Sequence, residues 1–150
     1  MPDAYEWTKV AHVVVAVLVG GTSASSGIWL ELFVLRGDQP RLVLTGLRFM
    51  LAAVVLPGLA VQAALGLMLV RLGHWDGGAR WLLAGEALWL AIVAGAAMSL
   101  VLVVKMQRAL DATPPDEIRF HRWGRTAEVW GAFTGIAFLA VLAVMVTKPG

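Results

Sequence analysis

Residues 10–35 read VAHVVVAVLVGGTSASSGIWLELFVL, and how this run is interpreted decides the fold. It contains no Lys or Arg and stops against Arg36 and Asp38. A hydrocarbon core takes about 20 apolar residues in helix, so the run is long enough to cross a bilayer with some tilt. Two features set it apart from an ordinary span. His12 lies inside it, and Gly20 to Gly27 form a small, polar block, GGTSASSG. Lipid gains little from such a block, so it is expected to face other helices or a ligand.

Composition extends the membrane reading to the whole chain. Over 150 residues, 59% are apolar and only 15% charged, with a mean hydropathy of +0.78. Soluble domains carry about 25% charged residues. The isoelectric point near 9.5 rests on a net charge of +2, too little to suggest a nucleic-acid partner. The basic residues instead read as topology signals. Absence of cysteine excludes disulfides, iron–sulfur clusters, thiolate-ligated haem and covalent c-type haem. No nucleophile-elbow Ser, P-loop or His-Glu-x-x-His motif appears, and no Met-rich copper cluster. The opening MPDAYEWTK is net acidic where a cleaved signal needs a basic segment, so the first span is expected to be retained.

Four spans fit, at about residues 8–35, 42–70, 81–104 and 126–147, in one integral membrane domain. The first link, RGDQPR, is broken by Gly37 and Pro40, and Pro57 predicts a kink in the second span. The second link, RLGHWDGGAR, is a glycine-rich turn. The third, KMQRALDATPPDEIRFHRWGR, is amphipathic at both ends and broken at Pro114-Pro115, with Asp116 and Glu117 suited to a new helix N-terminus. Lys9, Arg71, Arg80 and Lys148 fall at one end of the bundle. Arg36, Arg41, Arg48, Lys105, Arg108, Arg119, Arg122 and Arg125 fall at the other. The positive-inside rule then places both termini on the outer, periplasmic side of a bacterial inner membrane. The expected architecture is an all-α, four-helix antiparallel bundle. Gly20, Ala24 and Gly27, and the Gly131-x-x-x-Gly135 pair, are expected to mark helix contacts.

Ionisable groups within spans point to function, because each costs about 2.5 kcal/mol or more at mid-bilayer unless paired. On the outer side lie His12, Glu86, Met68 and Met145, with His74 in the link. A neutral imidazole is a haem-iron donor, so His12 is the candidate ligand, with Met68, Met145 or His74 as its complement. The alternative is a histidine hydrogen-bonded to a neighbour such as Glu86. Trp89 lies deep enough to be core or ligand wall. On the inner side, Glu31–Arg48 or Glu128–Arg48 would make a structural ion pair. Arg122 and Arg125 could instead receive an anionic group such as haem propionates, while His121 belongs to the solvated link.

Several stretches resemble a bacterial family of uncharacterised four-helix membrane proteins. They are Thr8-Lys9-Val10-Ala11-His12, the pattern Leu56-Pro57-Gly58-Leu59 followed by Leu65-Gly66-Leu67, and the closing FHRWGRTAEVW and VMVTKP. That family is similar to the HemJ-type protoporphyrinogen oxidases and the copper-resistance protein D group. The resemblance implies a b-type haem and a functional first-span histidine in Lys-x-x-His, the position of His12. It is partly echoed by Arg125 and Glu128 and by the final Lys148-Pro149. The chain departs from those oxidases where Trp81-Leu82 leads to Gly85-Glu86 and not to a lysine, and where Gly20 and Gly21 replace Trp-Ala-Gly.

Together these features lead to an integral membrane protein that binds haem b through His12. Its role would be electron transfer or porphyrinogen oxidation, with a porphyrin or quinone as partner. The alternative is a non-catalytic membrane subunit or anchor, acting as a homo-oligomer or within a larger complex.

Overall fold

The computed structural model describes residues 3–148. Four helices take up most of them: α1 Ala4–Leu35, α2 Pro40–Leu72, α3 Arg80–Asp111 and α4 Glu117–Thr147. Each is long and apolar enough to cross a membrane. At 1.5 Å per residue they span roughly 46–50 Å, so their ends project beyond a hydrocarbon core of about 30 Å.

The helices outrun the expected spans chiefly around the third link. Residues Lys105 to Asp111 continue α3, and α4 starts at Glu117, nine residues before Thr126. The reason is amphipathicity: Met106, Ala109, Phe120, Gly124 and Ala127 are buried here, so this link closes an apolar face of its own. Only residues 112–116 stay out of helix. Asp116 caps α4 by accepting a hydrogen bond from the Arg119 backbone N–H at 2.9 Å. Asp3 caps α1 in the same way, accepting from Glu6 N–H at 2.9 Å.

Two turns are wound wide, as π-helix. Leu30–Leu35 ends α1, and Met50–Val55 interrupts α2 immediately before Leu56 and Pro57. Proline has no N–H, and its ring crowds the carbonyl four residues back, so α2 meets the disturbance with a wide turn rather than a break.

Burial follows a three-four spacing along each helix. In α1 it passes through Thr8, His12, Val15, Val19, Ser23, Ser26, Leu30 and Val34. In α3 it passes through Leu82, Gly85, Trp89, Ile92, Ala96, Ser99, Val103 and Met106. This is the spacing of a seam that faces neighbouring helices. Leu44, Leu47, Leu51, Val55 and Leu59 form the corresponding seam of α2. Sequential helices are neighbours, the α3–α4 contact is the most extensive, and α4 also packs on α1. Among the described residues the diagonal pairs, α1 with α3 and α2 with α4, make no close backbone approach.

Glycines let the helices approach closely. Gly20 faces the Phe138 ring, Gly58 faces Val19, Gly85 faces the Met145 methyl, Gly95 faces Thr134, and Gly124 faces Leu35 and Met106. The expected small-residue contacts are correct for Gly20 alone. Ala24 and Gly27 are exposed, and Gly131 and Gly135 look into open space. The polar block also needs no partner helix. Thr22 Oγ1 donates to Leu18 O at 2.7 Å, Ser25 Oγ to Thr22 O at 2.9 Å and Ser26 Oγ to Ser23 O at 2.7 Å. Hydroxyls so placed satisfy themselves on their own helix, and sequence composition alone does not reveal that.

Candidate functional site

His12, half-buried on the α1 seam, meets Gln62 of α2, with Nε2 3.0 Å from the Gln62 amide nitrogen. The imidazole edge packs beside Gly66, where an added Cβ would come within 3.4 Å of the ring. Three buried side-chain atoms have no hydrogen-bond partner among the described residues: His12 Nδ1 and Gln62 Oε1 at this contact, and Trp89 Nε1 on α3. Each belongs to a different helix, and His12 and Trp89 both fall on interior seams. An unpaired buried polar atom costs about 1–3 kcal/mol, which makes the His12–Gln62 contact the first place to look for a ligand.

The partner of His12 is thus Gln62, not Glu86, which is exposed. Gln62 was legible as a signal: it is the single polar side chain between Arg48 and Arg71 in an otherwise apolar helix. Met145 faces into the bundle, its methyl against Gly85. Met68 is 46% exposed and points away. His74 and His121 are exposed at the two linked ends, His121 edge-on to Phe120. Among the described residues no group of three or more His, Asp and Glu gathers as a metal site.

At the other end of the bundle the charges pair differently from expectation. Glu31 forms its ion pair with Arg36, and Arg48 is exposed with no carboxylate partner among the described residues. The wide final turn of α1 explains this, because π winding stacks residues five apart. Glu128 lies one turn past Gly124, which packs against Leu35 at this end of α1. Arg125 lies twenty residues before Met145 on one continuous helix, about 30 Å away, and Arg122 is farther still. With Gly124 packed on Leu35, the arginines sit at the far end of α1 from His12. They lie too far away to hold the propionates of a haem ligated by His12.

The family described as Predicted integral membrane protein (DUF2269) matches residues 6–149. No curated protein and no solved structure matches the chain.

Proposed function

The chain belongs to the DUF2269 family of predicted integral membrane proteins, and from that premise we propose that it is an antiparallel four-helix bundle of the bacterial inner membrane that binds b-type haem through His12. Its activity is electron transfer or porphyrinogen oxidation. Contact pairs support the antiparallel arrangement. Residue numbers rise on one helix as they fall on its neighbour: Val19–Gly58 with His12–Gly66, and Gly85–Met145, Gly95–Thr134 and Met106–Gly124. Lys148 stacks 3.9 Å over Trp75, which ties the last helix to the second link. Arg41 bonds Leu110 O at 2.6 Å, which ties the first link to the third. The end carrying the first and third links holds most of the Lys and Arg, and the positive-inside rule assigns it to the cytoplasm.

The observation that carries the haem proposal is an inward-facing His12 whose Nδ1 is unpartnered, bonded through Nε2 to a Gln62 whose Oε1 is also unpartnered. Thr45–Gln107 and Arg41–Leu110 give the α2–α3 register, from which Trp89 falls within about one turn of Gln62. Gly20–Phe138 likewise sets Met145 within about one turn of His12. The result is a polar layer of imidazole, amide and indole N–H, with a thioether beside it, in an apolar interior. Cofactor sites in helix bundles are built from inward-facing side chains of this kind. The donor set fits a haem iron: a neutral imidazole nitrogen and a methionine sulfur are both haem ligands. His12 would hold the iron through its imidazole, Met145 is the candidate second donor, and Trp89 N–H would be available to an acceptor on the ligand. When bound, haem supplies one-electron transfer between a porphyrin or quinone and a membrane acceptor. The Lys9-Val10-Ala11-His12 resemblance to the HemJ-type oxidases agrees with this reading.

Detergent-purified protein from haem-replete cells is expected to show a Soret band. The band should be lost in His12→Ala and kept in His74→Ala and His121→Ala. A band that survives His12→Ala overturns the ligand assignment. A second reading, a non-catalytic subunit that packs against a copy of itself, is favoured by the outward-facing Gly131 and Gly135. Colourless protein with a self-associating α4 face would support it.

A further inference from the structure

Where α3 ends and α4 begins, the chain forms a cleft of about 300 Å³ lined by Lys105, Arg108, Arg119, Arg122, Trp123 and Asp116. Asp116 is already engaged twice. It caps α4, and its other oxygen pairs with Arg119 Nε at 3.2 Å. Lys105, Arg108 and Arg122 pair with no carboxylate among the described residues. Two of these cations are held on one indole, with Lys105 Nζ 4.3 Å and the Arg122 guanidinium 4.8 Å from the Trp123 ring centre. Three like charges around one concavity repel until an anion joins them.

The surroundings indicate what kind of anion. The cleft sits at the ends of two helices long enough to cross a membrane, so it lies at headgroup depth. Ala109 and Ala112 also line it, and Ile118, one turn before Arg122 on α4, is 85% exposed. A half-buried Trp123 with a bare Ile118 suits the boundary between headgroups and acyl chains better than open water. Guanidinium groups and an ammonium are the donors that phosphate oxygens take.

We propose that this cleft binds the phosphate of an anionic phospholipid headgroup, with Lys105, Arg108 and Arg122 as its donors and Trp123 fixing two of them. The site is independent of His12 and stands whether or not haem is bound. It also gives a use to the link residues 105–125, whose helical extension builds the cleft walls.

The test is the unfolding midpoint of the full chain in neutral detergent, titrated with phosphatidylglycerol, phosphatidylcholine or inorganic phosphate. Phosphatidylglycerol is expected to raise the midpoint, and the other two are not. Arg108→Gln with Arg122→Gln should shift the phosphatidylglycerol dependence to higher concentration by about fivefold per cation, roughly 25-fold for the pair. Lys105→Gln alone should give the single-cation shift. Arg71→Gln with Arg80→Gln, at the opposite end, should leave it unchanged. Equal stabilisation by phosphatidylcholine, or an undiminished response in the cleft variants, overturns the proposal. A full response to inorganic phosphate also overturns it, because the ligand would then be a soluble phosphate compound.

Discussion

Replacing His12 and Gln62 together by leucine should make the ligand-free protein more stable, although either replacement alone should weaken it. The pair has one contact at 3.0 Å between His12 Nε2 and the Gln62 amide, and two unpartnered atoms, His12 Nδ1 and Gln62 Oε1. His12→Leu removes the hydrogen bond and leaves both polar ends of Gln62 unpaired. Gln62→Leu does the same to both nitrogens of His12. The number of unpaired atoms is unchanged in each single variant, so each loses about the bond itself, roughly 0.5–1.5 kcal/mol. The double variant has no unpaired atom left at the pair. It recovers about 1–3 kcal/mol for each of two atoms and forgoes one bond of about 0.5–1.5 kcal/mol, a net gain between about 0.5 and 5.5 kcal/mol. Equilibrium unfolding in mixed micelles of the wild type, both single variants and the double variant forms a complete mutant cycle. A double variant less stable than either single would refute the reasoning, because it would mean that water or another group already satisfies the site. Confirmation would show a layer that costs stability in the empty protein, which is the pattern expected where a ligand supplies the missing partners.

Three further outcomes test the packing and the topology. Gly95→Val should cost about 1–3 kcal/mol in the same unfolding assay, because its side chain would run into Thr134 where α3 packs closely on α4. Gly135→Leu should change stability by less than about 0.5 kcal/mol, because open space surrounds that position, while dissociating any dimer seen by crosslinking. Since the chain lacks cysteine, single substitutions report sidedness cleanly. Gly77→Cys should react with an impermeant maleimide on intact spheroplasts, and Thr113→Cys only after lysis. The reverse pattern would invert the positive-inside assignment.

The four crossings were legible in the sequence because each rests on a run of apolar residues bounded by Gly, Pro and charges, a signal that needs no tertiary knowledge. The helical extensions through Lys105–Asp111 and Glu117–Arg125 were only half visible. Their amphipathicity was plain, but whether the apolar face had a partner depended on α3 meeting α4. His12 is legible as an interior group, but the sequence offers Glu86 as an example of its hydrogen-bonding neighbour, and the structure gives Gln62. A carboxylate is the stronger hydrogen-bonding type, and only the seam spacing shows that Glu86 lies one position off the interior line through Gly85 and Trp89. The Glu31–Arg48 pair failed for a related reason. Ordinary helical spacing does not bring residues 31 and 36 together, and the π turn that does so leaves no mark in composition. Small residues were the least reliable guide. The same Gly-x-x-x-Gly spacing serves a contact inside a bundle and one between copies, and for Gly131 and Gly135 the structure leaves the face open.

The central claim, that the layer around His12 binds haem b, is tested most directly by pyridine-haemochrome quantitation of the full chain purified from haem-replete cells. Stoichiometric haem b in the wild type, with none in His12→Ala of equal yield and helicity, is the result the account predicts. Wild-type protein that is folded, monodisperse and free of haem would contradict it.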